Sequence, residues 1–269
     1  MIKNVCWKMN NGVDMPVVGI GTYKATGDMI KLGIELGYRH IDIAPVYGNE
    51  KEVGDAITES GVARNELFLS VKIWNDDLRS GDIRTAVSKS LKNLRTDYID
   101  LLLFHWPVAG KYTEAWKKME TLYEEGIVKA IGVSNCTQRQ IDELIEGSHT
   151  VPAVNQIEIH PHFTQCDVLS YCRNRGIIVQ AWSPLGGGSY VTDPILTEIG
   201  RIYGKSAAQV LLKWNIQRGC VVIPKASSKE KLLQNADLFD FDLSPLEIKR
   251  IEDMNMNLRT GSDPENFDF

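Results

Sequence analysis

Short apolar runs rich in β-branched and aromatic residues alternate with amphipathic segments from one end of this chain to the other. The runs fall at 17–21, 38–44, 67–74, 98–105, 128–134, 153–160, 177–183 and 220–225. Between them, apolar residues recur at helical spacing in 29–36, 50–60, 82–94, 113–125, 138–146, 165–175 and 207–217. Such alternation requires parallel strands joined by helical crossovers. Some eight units in 269 residues match a closed (β/α)8 TIM barrel, ordinarily about 250 residues long. No Pro-, Gly- or Ser-rich linker interrupts the pattern, so one domain over 1–269 is expected. Two additions are expected. Residues 6–17, turning at Asn10-Asn11-Gly12, read as an N-terminal β-hairpin plugging the barrel floor. Past Ser244, an extra C-terminal helix has that serine as N-cap and Pro245 at its first position.

The period-2 pattern of the strands tests this expectation. In 67–74, Leu67, Leu69, Val71 and Ile73 form one face, suited to packing under helices. The other face, Phe68, Ser70, Lys72 and Trp74, turns polar toward its C-terminal end. Ile41 and Ile43 likewise oppose His40, Asp42 and Ala44, and Ile177, Val179 and Ala181 oppose Ile178, Gln180 and Trp182. Only the fourth run, with Asp100 opposite Leu101, Leu103 and His105, fits less cleanly. Polar residues facing inward at C-terminal strand ends are what the active face of such a barrel requires.

Four of them have complementary acid–base character: Asp42, Tyr47, Lys72 and His105. A charge at the end of a buried strand is costly unless paired or used, so the four together point to an enzyme. Taken singly each has a plainer reading: Tyr47 as packing, Asp42 with Lys72 as a structural ion pair, His105 as a core histidine. The net charge of −5 and the lack of a Lys/Arg block argue against nucleic acid or an anionic membrane as partner. No apolar stretch is long enough to cross a bilayer. The five cysteines, Cys6, Cys136, Cys166, Cys172 and Cys220, are scattered without a CxxC pair, and the N-terminus has no secretory apolar core. A reducing, cytoplasmic location and a monomer are expected. Cys136, after Ser134-Asn135, reads as buried filler rather than a reactive thiol.

At DIAPVY (42–47), VKIWND (71–76), LLFHWP (102–107) and GVSN (132–135) the chain resembles the aldo-keto reductase superfamily, in particular its microbial prostaglandin F synthase and diketogulonate reductase-like branch. NQIEIHP (155–161), AWSPL (181–185) and IPK (223–225) extend the resemblance over essentially the whole length. Each motif alone is weak; seven in order, each at an expected strand end, are specific. The resemblance implies a (β/α)8 barrel that reduces aldehydes or ketones with NADPH, and a catalytic tetrad of Asp42, Tyr47, Lys72 and His105. Tyr47 would donate a proton to the carbonyl oxygen. The Lys72 ammonium would lower its phenolic pKa from about 10 by roughly 1–3 units. Asp42 would hold Lys72 charged, and His105 would orient the carbonyl and help shuttle the proton.

No GxGxxG opens a βα unit: Gly19-Ile20-Gly21 lacks the third glycine, and Gly186-Gly187-Gly188 follows a Pro-Leu turn. The resemblance instead places the nicotinamide on the barrel mouth. Ser134, Asn135 and Gln156 would hold its carboxamide, Trp182 would stack on the ring, and Thr22 and Tyr23, beside Asp42, would line the opposite rim. Ser183, Leu185 and Gly186 would follow the pyrophosphate. Lys225, Ser227, Lys231 and Asn235 lie where a 2′-phosphate and adenine would sit. Relatives commonly carry Ser, Arg and Glu where this chain has Ala226, Lys231 and Gln234. Lysine lacks the arginine fork, so NADPH is expected with NADH possible.

Tyr23, Trp74 and Trp106, around Tyr47 and His105, would form an apolar aromatic wall suited to aromatic or medium aliphatic aldehydes over highly charged ones. With a short 186–192 loop the mouth reads as open; residues 267–269 would either fold over it or remain disordered. Two rival readings differ in kind. A metal-dependent hydrolase would use His160, His162, Glu158 and His105 as ligands, but Pro161 and the NQIEIHP match favour a structural role and no metal. An NADPH-binding redox sensor without turnover would not need the intact tetrad.

Overall fold

The structure is a computed structural model describing residues 2–269. A two-stranded antiparallel hairpin, β1 (Cys6–Lys8) and β2 (Asp14–Pro16), precedes eight parallel strands. These are β3 (Gly19–Gly21), β4 (His40–Ile43), β5 (Phe68–Ile73), β6 (Leu101–Phe104), β7 (Ile131–Ser134), β8 (Val154–Glu158), β9 (Ile178–Trp182) and β10 (Cys220–Val222). They pair in chain order, and a parallel bridge between Val18 and Val222 joins the last to the first. The strands are shorter than the apolar runs.

Among the described residues, eleven α-helices surround and extend the barrel. They are α1 (Gly27–Leu36), α2 (Glu50–Glu59), α3 (Asn75–Ser80), α4 (Ile83–Leu94), α5 (Tyr112–Glu124), α6 (Gln138–Glu146), α7 (Cys166–Asn174), α8 (Pro194–Tyr203), α9 (Ala207–Gln217), α10 (Lys229–Ala236) and α11 (Pro245–Glu252). The last starts as expected: the Ser244 side chain accepts from the Glu247 amide and the Glu247 carboxylate accepts from the Ser244 amide, a complete capping box. Sequence reading missed α3, only six residues long and without a side-chain cap, because one and a half turns carry no measurable period. It also missed α8, whose start signal was present: Asp193 caps Ile195 and Leu196, and Pro194 holds the first position.

The inner and outer faces of the strands match the parity argument. Ile41, Ile43, Leu69, Val71, Ile73, Leu102, Phe104 and Val179 pack outward against helices. Inside, Phe68, Leu101, Leu103, Ala130, Val154 and Val221 fill the lower barrel together with Met9 and Met15 of the hairpin region. Each such side chain taken fully out of water contributes roughly 1.5–3 kcal/mol. Asn10 and Asn11 fasten the hairpin to the barrel by donating to the Pro152 and Lys129 carbonyls at 3.1 and 2.9 Å. Gly12 makes the turn at φ +88°, left-handed backbone that glycine adopts without strain. The irregular Asp100 precedes β6 and accepts from Arg64 (2.6 Å) and the Leu69 amide (3.0 Å), tying neighbouring strands at the floor. A core closed from below leaves the C-terminal ends of the strands as the open face.

Candidate active site

Strand register decides which polar groups meet at that face. Gly21 of β3 lies beside Asp42 of β4, and Asp42 beside Ser70 of β5, whose Lys72 pairs with Leu103. Asp42 and Lys72 therefore point into the same layer from adjacent strands. Lys72 is fully buried and its Nζ forms an ion pair with Asp42 Oδ1. Burial alone would lower the lysine pKa, but Asp42 and Tyr47 reverse that and leave it raised, so Lys72 is charged at neutral pH. Its ammonium lies 5.4 Å from the centroid of the Tyr47 ring, which enters from the short turn Pro45–Tyr47 after β4.

Tyr47 sits among aromatic rings: Tyr23 at 5.1 Å and His105 at 5.9 Å between centroids, the second edge-on. Trp74 meets His105 edge-on at 5.2 Å. One expectation needs correction. The Tyr47 phenol is raised, not lowered, because burial outweighs the opposing pull of Lys72. His105 is held well below the usual imidazole range, first by burial and then by Lys72, so at neutral pH it is uncharged. A neutral imidazole can orient a carbonyl oxygen by hydrogen bonding through a ring N–H. Among the described residues its Nδ1 is buried without a hydrogen-bond partner, so Nε2 is the ring nitrogen left for a ligand.

The residues expected around a nicotinamide also converge. Ser134 of β7 is in register with Gln156 of β8, and Gln156 with Gln180 of β9. Ser134 Oγ donates to the Gln156 carbonyl (2.9 Å) and receives from Asn135 Nδ2 (3.2 Å). Asn135 Nδ2 also donates to the His105 carbonyl at 3.0 Å, and its Oδ1 accepts from Trp182 Nε1 at 2.8 Å. Asn135 and Ser183, at φ +58° and +49°, hold left-handed backbone directly after β7 and at the end of β9. For non-glycine residues that conformation is uncommon and clusters at functional sites. Thr22 is buried and donates to the Asp42 carbonyl at 2.8 Å, while Tyr23 is 54% exposed on the rim.

Further along the rim, the Gly186 amide donates to the Ser183 carbonyl at 2.8 Å, and Leu185 is half-buried. A Cβ at Gly186 would stand 2.2 Å from the Tyr190 ring, so the turn after β9 admits no side chain there. Lys225 is exposed past β10, Ser228 caps α10, and Lys231 Nζ donates to Ser227 Oγ at 3.3 Å. Asn235 is buried on the same helix. Two exposed lysines and a capped helix start suit a phosphate.

The mouth is not open. Residues 259–269 cross it, with Phe267 packed on Trp106 (5.2 Å) and Phe269 stacked on Trp74 (6.0 Å). The fastening is Glu158, at the end of β8. Its carboxylate accepts from the Thr260 amide (2.8 Å), the Thr260 hydroxyl, the Gly261 amide (3.2 Å) and His160 Nε2 (3.1 Å). Burial would raise that carboxyl, yet these bonds bring it below its ordinary range. Tyr190 Oη completes the row on His160 Nδ1 at 3.0 Å. Glu158 and His160 are therefore occupied in holding the tail, and among the described residues no three His, Cys, Asp or Glu side chains converge as a metal site. Sequence reading favoured a structural role for this motif but did not find its partner, because the tail lies about a hundred residues away. Cys136 is buried, with its thiol pushed well up by burial.

Residues 21–256 match the aldo/keto reductase family. The chain belongs to that family. It is 44% identical to an uncharacterised oxidoreductase of Bacillus subtilis, covering 97% of this chain and 96% of the relative. A glyoxal reductase of the same organism is 42% identical, with 97% of each chain covered. The aldo-keto reductase of Bombyx mori, solved in complex with NADP, superposes with a TM-score of 0.93 at 36% identity, covering 98% of this chain and 97% of that one. This aldo-keto reductase is thus an oxidoreductase with the barrel, floor hairpin and C-terminal helix expected from its sequence. No helix among the described residues is long and apolar enough to cross a membrane.

Proposed function

We propose that this aldo-keto reductase, acting as one barrel domain, reduces small aldehydes or ketones to alcohols with NADPH, Tyr47 serving as the general acid. The observation that carries this reading is the fully buried Lys72–Asp42 pair set beneath Tyr47. Bound NADPH would supply the hydride. As negative charge develops on the carbonyl oxygen, protonated Tyr47 delivers its phenolic proton there, and the Lys72 ammonium stabilises the phenolate left behind. Asp42 keeps that ammonium charged and aimed. His105 holds the carbonyl oxygen through Nε2, and Tyr47 recovers its proton from solvent at the mouth.

The residues present suit such a coenzyme. Ser134, Asn135 and Gln156 would hold the carboxamide, with Trp182 on the ring and Thr22 and Tyr23 on the far rim. Ser183, Leu185 and Gly186 would follow the pyrophosphate, and Lys225, Ser227, Lys231 and Asn235 the 2′-phosphate and adenine. The aromatic wall of Tyr23, Trp74 and Trp106, narrowed by Phe267 and Phe269, favours small uncharged carbonyl compounds. The test is Tyr47→Phe against wild type with NADPH and an activated aromatic aldehyde. Turnover should fall by about 10²–10⁴-fold with coenzyme affinity nearly unchanged; retained turnover sinks the assignment.

A further inference from the structure

Below the tetrad, a row of buried polar side chains runs down the barrel axis to the floor. Gln156 Nε2 donates to Asp42 Oδ2 at 2.7 Å and to Gln180 Oε1 at 3.1 Å. Gln180 Nε2 contacts His40 Nε2 at 3.4 Å, a position shared with Ser70 Oγ at 2.9 Å. His40 Nδ1 meets the Pro16 carbonyl of β2 at 3.0 Å. Gln156, Gln180, His40 and Ser70 are all essentially inaccessible to solvent. Polar groups placed so deep must be satisfied, and here their bonds also have a direction.

Two groups that can only accept fix that direction from opposite ends. At the floor, the Pro16 carbonyl requires a proton on His40 Nδ1. His40, lowered to about 4 by burial, is neutral, so its Nε2 is bare and accepts. A bare Nε2, which also accepts from the Ser70 hydroxyl, repels a carbonyl oxygen, so Gln180 turns its N–H toward His40 and its Oε1 toward Gln156. At the top, the Asp42 carboxylate, already paired with Lys72, likewise demands an N–H from Gln156. Both ends impose the same sense on the row. Both N–H bonds of Gln156 are consumed, and Oε1 is the atom left to face the mouth, beside Ser134 and Asn135.

We propose that Gln180 and His40 are positioning residues that lock Gln156 as a hydrogen-bond acceptor for the N–H2 of a nicotinamide carboxamide. The inference rests on the coenzyme reading above and deepens it: the site would distinguish an amide from an isosteric group without N–H. Asp42 alone sets which end of Gln156 faces it. Gln180 fixes the second N–H and with it the plane of the amide, so the acceptor lone pair has one direction.

The experiment measures dissociation constants of NADP+, its 3-acetylpyridine analogue and adenosine 2′,5′-bisphosphate for wild type and Gln180→Met. One lost hydrogen bond corresponds to about threefold to tenfold in affinity, so wild type should favour NADP+ over the analogue by that factor. In Gln180→Met the preference should shrink below about twofold, with affinity for the bisphosphate unchanged, showing an intact fold. Equal weakening of NADP+ and the analogue would mark Gln180 as merely structural and overturn the proposal. The wild-type comparison decides alone should the variant not fold, since no preference there also overturns it. Failure of wild type to bind either dinucleotide would overturn the coenzyme reading and this inference with it.

Discussion

Lys72→Met offers a direct measure of how the site is held together. The lysine side chain has no solvent access and Asp42 almost none, so removing the ammonium strands a carboxylate in the barrel. Breaking a buried ion pair on one side costs about 3–5 kcal/mol. Gln156 Nε2 still reaches Asp42 Oδ2 at 2.7 Å, which favours the lower end of that range. For a chain of this size 1 kcal/mol moves the melting temperature by roughly 2–4 °C, so a fall of about 10 °C is expected. Asp42→Asn should cost a similar amount, because it leaves Lys72 charged and alone. The double variant Lys72→Met/Asp42→Asn removes both charges yet keeps an amide oxygen for Gln156. Its cost should therefore fall short of the summed single costs by at least about 2 kcal/mol. Guanidinium unfolding at pH 7, followed by tryptophan fluorescence, gives all four corners of the cycle. Additivity within about 0.5 kcal/mol would show that the two residues do not act as a buried pair.

Three further outcomes are expected. His40 is depressed from 6.5 to about 4 in the folded protein, so its contribution is complete above pH 6.5 and is lost as pH falls through 4. At pH 5 wild type should have lost about 2 kcal/mol from this group, and a His40→Asn variant should show a correspondingly flatter stability profile between pH 7 and 5; His105 adds a loss of the same sign in both proteins. Deleting residues 267–269 strips Phe267 and Phe269 from Trp106 and Trp74, so acrylamide quenching of tryptophan fluorescence should increase while the melting temperature moves little; unchanged quenching would contradict the covered mouth. At Gly54, where α2 crosses α4, an added Cβ would lie 2.3 Å from the Asn93 carbonyl oxygen, so Gly54→Ala should destabilise by about 1–3 kcal/mol in urea unfolding.

Much of this molecule was legible in one dimension because the information is local. Strand parity separates Ile41 and Ile43 from His40 and Asp42 whatever surrounds them, since a pleated strand sends alternate side chains to opposite faces. The Ser244 cap was readable for the same reason: its partner, Glu247, is three residues away. Asp42, Tyr47, Lys72 and His105 were found because polar residues at the ends of buried strands are conspicuous.

The sequence by itself therefore determined the barrel, its floor hairpin, its last helix and the chemical types gathered at the mouth. Only the tertiary structure decided what those groups become. Burial, not the neighbouring lysine, sets the direction of the Tyr47 shift, and burial with Lys72 makes His105 neutral. Glu158 meets Thr260 and Gly261, and Phe269 covers Trp74, only after the chain has closed on itself. The direction of the Gln156 amide is set by Asp42, far away in the chain on another strand. Local periodicity records which way each residue points, whereas desolvation and hydrogen-bond direction depend on neighbours that are distant in the chain.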